Sequence, residues 1–180
     1  RLTNDEWTEA GTKWSPEGKT IAYGSDRDGP PDVYLQDVNG GAPQKFFATD
    51  AVDYPQSWLA DGRLVVRTAG RLVVVRRDGT IDETVKVRSR GVASPDALWL
   101  ALPSIESGED GLYVEPLGGD GLRRRVAVGT VSAEPVWSRD GKWLYFASNR
   151  RIMQAAVRSG PSFASEPATV VFTLDRDIAS

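Results

Sequence analysis

The chain contains no cysteine and no histidine in its 180 residues. Without cysteine there is no disulfide framework and no thiolate metal site, and the redox compartment is left unconstrained. Without histidine there is no Ser-His-Asp triad, no imidazole general base and no His-ligated zinc within the chain. Serines are plentiful, but none sits in a Gly-x-Ser-x-Gly elbow. The lysines are only Lys13, Lys19, Lys45, Lys86 and Lys142, four of them in or next to turns or strand ends, which serves a Ser/Lys dyad poorly. Long apolar runs are also missing. The longest, Ala97 to Leu102, stops at Pro103, far short of the roughly 20 residues a membrane-spanning helix needs. The first residues lack the charged and apolar regions of a signal peptide, and the chain opens on Arg1, as a processed or excised piece would. Net charge is −3, from 22 basic and 25 acidic side chains, so no overall basic field recruits nucleic acid. The arginine runs Arg76–Arg77, Arg123–Arg124–Arg125 and Arg150–Arg151 read as solvated strand faces or turns.

What is present is a repeated phrase. It reads Trp14-Ser15-Pro16-Glu17-Gly18-Lys19, then Trp58-Leu59-Ala60-Asp61-Gly62-Arg63, then more weakly Ala93-Ser94-Pro95-Asp96-Ala97, and last Trp137-Ser138-Arg139-Asp140-Gly141-Lys142. The spacings are 44, 35 and 44 residues, with a mean of 41, close to the roughly 40–45 residues of a propeller blade. Each phrase is a tight turn in which Pro presets φ, Asp bonds its own backbone and Gly supplies φ > 0. An apolar run follows at 20–24, 64–67, 98–102 and 143–147. After a second turn come Val33-Tyr34-Leu35, Leu72–Val75, Leu112-Tyr113-Val114 and Ile152-Met153-Gln154. A glycine-rich third turn leads to an outer strand near Gln44–Phe47, Ile81–Val85, Arg124–Val128 and Thr169–Phe172. No capped 3.6-residue apolar period interrupts the pattern.

The expected fold is therefore all-β, a β-propeller of four four-stranded antiparallel blades. Residues 1–11 read as the end of a preceding blade and an inter-blade loop. Blades follow at 12–50, 51–87, 88–128 and 129–174, with a tail at 175–180. Arg1-Leu2-Thr3 reads as the end of one more outer strand, surplus to four blades, so the chain is expected to be part of a larger ring or to close through another copy.

The phrase Trp14 to Tyr23, then Ser25-Asp26-Arg27-Asp28-Gly29, then Asp32-Val33-Tyr34, resembles the WD40-like repeat of TolB-type propellers. The resemblance is closest in the first and fourth repeats and spans nearly the whole chain. It implies fold more than activity. The segment Trp137 to Phe172 is similar to the last blade of propeller regions attached to some bacterial serine/threonine protein kinases, although no glycine-rich phosphate loop or His-Arg-Asp loop is present. Similar repeats form the propellers that gate prolyl-oligopeptidase-like and tricorn-like peptidases. The resemblance implies a periplasmic or extracytoplasmic setting.

Function is expected to be non-catalytic, a sensor or interaction module for a protein, peptide or ligand. The second reading is an accessory propeller of a larger enzyme. No cofactor and no metal are expected. Asp26-Arg27-Asp28-Gly29 with Asp32 looks like half of a calcium loop, but Pro30 and Pro31 break the ligand spacing, so the segment reads as a turn. Trp14, Trp58 and Trp137 recur in register and are expected to pack between blades, while Trp7, off that register, is the tryptophan expected to be exposed. In the geometry the resemblance implies, second turns and inter-blade loops share one ring face. That face collects Asp26, Arg27, Asp28, Glu106, Glu109, Asp110, Asn149 and Arg150 as the expected partner-binding set, since loops on a rigid scaffold are where recognition concentrates. A protein or peptide partner fits it; nucleic acid and membrane insertion do not.

Overall fold

The computed structural model describes residues 6–85, 91–104, 110–118 and 122–174. No helix occurs among them. The chain divides into two compact units, residues 1–88 and 89–180.

The first unit holds two antiparallel four-stranded sheets. One runs β1 (Glu9–Trp14), β2 (Thr20–Ser25), β3 (Asp32–Asp37) and β4 (Gln44–Phe47); the other runs β5 (Asp53–Trp58), β6 (Leu64–Thr68), β7 (Arg71–Val75) and β8 (Ile81–Val85). In each, strands pair in chain order, as short turns between alternating β-formers dictate. The shared core joins Ala22, Val33 and Phe47 of the first sheet to Leu64, Val66, Val73 and Val75 of the second. Each such buried Val or Leu contributes about 1.5–3 kcal/mol. Sheet contact is close enough that a Cβ on Gly24 would lie 2.4 Å from Cδ1 of Tyr54.

The second unit repeats the plan with β9 (Val92–Ala93), β10 (Trp99–Ser104), β11 (Gly111–Pro116) and β12 (Arg124–Val128), then β13 (Val136–Trp137), β14 (Trp143–Ser148), β15 (Arg151–Arg158), β16 (Ala164–Ser165) and β17 (Thr169–Thr173). Its core gathers Leu112, Val114, Leu144, Phe146, Ala155 and Phe163. Phe163 lies between Trp99 (5.5 Å, tilted) and Trp137 (6.3 Å, edge-on). The last sheet carries one strand more than four. The reason is β15, eight residues long, whose outer edge takes two short partners: β17 against Arg151–Gln154 and β16 against Val157–Arg158.

The repeated phrase forms a closely similar turn four times, the second copy closing one residue sooner than the others. The amides of Ser15, Leu59, Ser94 and Ser138 bond to the carbonyls of Thr20, Arg63, Trp99 and Trp143, all at 2.8 Å. Gly18, Gly62 and Gly141 take the tight position with φ of 69°, 86° and 69°, and in the weak copy Ala97 adopts φ 61°. The amides of Thr20, Trp99 and Trp143 also donate to Ser15, Ser94 and Ser138 Oγ at 2.9–3.0 Å.

Two sequence expectations change. The first sheet starts at Glu9, inside the stretch read as a preceding blade and loop, because Glu9 and Ala10 pair with Ser25 and Gly24 across a bulge. Ahead of Trp14 its residues are polar or small, and the strand is mostly exposed, so no run of β-formers marks it. Trp14 is 60% exposed, whereas Trp58 is half-buried and Trp137 is 8% exposed. The two shielded indoles donate to the inner strand of the preceding sheet, Trp58 to the Lys13 carbonyl and Trp137 to that of Val92. Residues 1–5, with the expected strand at Arg1-Leu2-Thr3, lie outside the described residues. Trp7 is 50% exposed, and Trp143 37%.

Candidate binding surface on the second turns

The eight expected contact residues divide between the two units. Asp26, Arg27 and Asp28 sit in the turn between β2 and β3, closed by the Gly29 amide donating to the Asp26 carbonyl at 3.2 Å. Asp110, Asn149 and Arg150 belong to the second unit, and Glu106 and Glu109 lie outside the described residues.

In the first unit the turn is knitted into its sheet. The Thr8 amide donates to Asp26 Oδ1 at 2.9 Å. Arg27 Nη2 donates to Glu9 Oε1 at 3.0 Å and its Nε to Ser25 Oγ at 3.2 Å. The guanidinium also lies over the Tyr34 ring, 4.7 Å from its centre, a favourable cation–π distance. Tyr34 Oη donates to Asp28 Oδ2 at 2.5 Å, and Lys45 Nζ reaches both Asp28 and Asp32 at 2.9 Å. The Tyr34 hydroxyl and the Lys45 ammonium together hold the Asp28 carboxyl below the usual carboxylate range. Burial, then the bond to Asp28, pushes Tyr34 above the usual phenol range. The Lys45 pKa is raised by its bonds to Asp28 and Asp32. Asp28 nevertheless keeps 53% of its side chain exposed. The result is a fixed carboxylate at the surface, oriented before any partner arrives.

In the second unit the second turn of the fourth sheet is shorter. Asn149 and Arg150 form a two-residue hairpin turn with φ of 48° and 60°, the geometry that matches strand twist. Arg150 is tied back to β17: the Leu174 amide donates to its carbonyl at 2.7 Å, and its Nη2 to the Leu174 carbonyl at 3.3 Å. Asp110 accepts from Thr130 Oγ1 at 3.0 Å, and its carbonyl takes the Gly129 amide. A Cβ on Gly129 would stand 4.0 Å from Asn149 Nδ2, so Asp110 and Asn149 occupy adjoining edges.

Sequence reasoning missed Glu9, Tyr34 and Lys45 as the groups that orient this turn. Lys45 is 17 residues from Asp28, and only the β3–β4 pairing of Tyr34 with Lys45 brings them together. The arginine runs bond within their own sheets: Arg76 pairs with Asp82, Arg77 with the Asp61 carbonyl, and Arg123 with Glu115. Among the described residues no group of three acidic side chains gathers to hold a metal ion.

No family model matches the chain. A protein assigned as a TolB from Agrobacterium tumefaciens superposes with a TM-score of 0.70 at 17% identity, over 94% of this chain and 69% of that one. TolB from Acinetobacter baumannii superposes with a TM-score of 0.65 at 15% identity, over 97% of this chain and 46% of that one. The fold is a β-propeller. In sequence, the chain is 28% identical over 164 residues to the uncharacterized peptidase YuxL of Bacillus subtilis (strain 168), covering 82% of this chain. This propeller segment spans about a quarter, 23%, of the length of YuxL.

Proposed function

We propose that this chain is a non-catalytic propeller module that binds a protein or peptide through its second-turn loops. The observation that carries the reading is Asp28, half-exposed yet held by Tyr34 and Lys45. A carboxylate fixed by two such partners costs little further ordering when a cationic partner group arrives. The proposed contact residues are Asp26, Arg27 and Asp28 in the first unit and Asp110, Asn149 and Arg150 in the second, together with Glu106 and Glu109, which lie outside the described residues.

The test is selection of peptides on the purified, immobilised chain, followed by titration calorimetry of the peptides obtained. Basic peptides should be enriched. Asp26→Asn with Asp28→Asn should weaken them about tenfold, the effect of losing a partly desolvated charge pair, with far-UV circular dichroism as the control that the strands are retained. Peptides indifferent to these substitutions would put the binding surface elsewhere. Peptide turnover by the chain, abolished by a point substitution, would overturn the non-catalytic reading.

A second reading is an accessory propeller of a larger enzyme. The similarity to YuxL favours the peptidase version of this reading over the kinase-attached one, because YuxL is named as a peptidase. We further propose that this chain contributes blades to a larger ring. Trp14, 60% exposed, and Val136, 58% exposed, stand at the register positions of the indole donor and carbonyl acceptor that lock adjacent sheets elsewhere. A monodisperse monomer in sedimentation velocity, unchanged by Trp14→Ser, would count against exposed locking ends of this kind.

A further inference from the structure

The second unit contains a groove of about 820 Å³ that the second-turn surface does not include. Its size falls in the range of roughly 300–1,000 Å³ typical of ligand sites. It lies at the end of β14 that carries Trp143, away from the Asn149–Arg150 turn at the other end. The walls are the first turns of the third and fourth sheets and the C-terminal end of β15.

The chemistry of the lining is uneven. Two carboxylates are present, and both are occupied in holding turns. Asp96 accepts from Ser94 Oγ at 2.5 Å, from the Leu98 amide at 3.2 Å, and from Ser159 Oγ. Asp140 accepts from Ser138 Oγ at 2.6 Å and from the Lys142 amide at 3.1 Å. Three cations also line the groove. Arg139 and Arg158 are exposed and hold no ion pair among the described residues. The Lys142 ammonium stands 3.9 Å from Asp140 with 75% of its side chain exposed, a pairing too loose and too wet to neutralise it. Between them Trp143 presents a 37% exposed indole whose backbone is fixed by the Ser138 hydroxyl at 2.9 Å. Next to Ser159 in the chain, the Gly160 carbonyl accepts from Trp99 Nε1 at 2.9 Å.

A groove lined by two exposed guanidinium groups without an ion pair among the described residues, a loosely paired ammonium and a partly exposed indole is complementary to carboxylates that alternate with an apolar or aromatic side chain. We propose that this groove binds an acidic peptide segment, with Arg139, Lys142 and Arg158 taking its carboxylates and Trp143 packing on the apolar residue between them. A short acidic segment is favoured over a long polyanion because the chain as a whole carries −3, which repels extended negative charge outside the groove. The proposal rests on the binding-module reading and gives that module a second surface of opposite charge preference.

The experiment uses the whole purified chain and a fluorescein-labelled peptide of alternating Glu and Phe, followed by fluorescence anisotropy across a salt series. The wild-type chain should bind with an affinity that falls as salt rises, and the matching Lys/Phe peptide should not compete. Arg139→Glu with Arg158→Glu should weaken binding at least about tenfold. Arg139→Gln with Arg158→Gln should also weaken it and guards against misfolding in the reversed variant, with Tm and far-UV circular dichroism as controls. Trp143→Ala should weaken binding without flattening its salt dependence. Unchanged affinity in both arginine variants would overturn the groove. So would equal competition by inorganic polyphosphate or a single-stranded oligonucleotide, which would make the face a general anion surface. Basic peptides that bind through Asp28 while the Glu/Phe peptide does not would leave the binding-module reading standing and remove the groove alone.

Discussion

The indole of Trp137 donates to the carbonyl of Val92 at 2.9 Å, across 45 residues of sequence. Trp58 repeats the bond to Lys13 at 3.1 Å and the same separation. In both cases the tryptophan at the head of one sheet's turn locks onto the residue just before the same turn in the preceding sheet. Replacing Trp58 or Trp137 with Phe keeps an aromatic ring but strands the carbonyl. Each is expected to cost about 1 kcal/mol or somewhat more, while Trp14→Phe should stay within about 0.5 kcal/mol. Urea unfolding of the three variants tests this; equal losses at all three positions would contradict it.

Ala97 occupies, at φ 61°, the position that glycine fills in the other three turns. A residue with a Cβ pays roughly 1–2 kcal/mol in this region, and a glycine returns part of that through a more mobile unfolded chain. Ala97→Gly is expected to stabilise the second unit by roughly 0.5–1 kcal/mol. A lowered denaturation midpoint would show that the alanine turn is relaxed.

Gly24 leaves room for the Tyr54 ring of the next sheet. An added Cβ would lie 2.4 Å from Cδ1 and 3.2 Å from the Asp53 carbonyl, and Arg67 stacks on the ring at 5.5 Å. Gly24→Ala is expected to destabilise the first unit by about 1–3 kcal/mol, as overpacking does. Much of the loss should return in the Gly24→Ala, Tyr54→Ala double variant; strict additivity in that cycle would exclude direct contact as the cause.

Several carboxylates are held below their usual range: Asp28 by the Tyr34 hydroxyl and Lys45, Asp82 by Arg63, and Asp140 by the Ser138 hydroxyl. A carboxylate more acidic in the folded than the unfolded chain stabilises the fold above the unfolded pKa of about 4. That stabilisation is present at neutral pH and is lost as pH falls through the lowered folded values. Asp28→Asn should therefore make stability less dependent on pH below about 4, read as a shallower fall in urea midpoint. An acid limb as steep as in the unsubstituted chain would mean Asp28 is not a contributor.

The sequence alone determined the local grammar of this protein. A turn needing φ > 0 declares itself through Pro, Asp and Gly, and an outer strand through clustered β-formers. Gln44–Phe47, Ile81–Val85 and Arg124–Val128 could accordingly be read to the residue. Inner strands were harder, because Glu9–Trp14 mixes polar and small residues, is mostly exposed and is defined by its pairing with β2, not by its composition. The extra strand β16 depends on the length of β15, which no turn signal announces.

Site chemistry was legible only as residue types. Asp28 is a turn residue by sequence; its fixed orientation comes from Lys45, delivered by strand pairing. Arg139, Lys142 and Arg158 form no run, and only the packing of the fourth sheet places them around Trp143. Trp14, Trp58 and Trp137 are equivalent in the repeat, yet 60% of one is exposed while another is buried at 8%. Sequence sets what each indole can donate. Tertiary structure decides which one finds a carbonyl, because the acceptor lies on a neighbouring sheet about one repeat away.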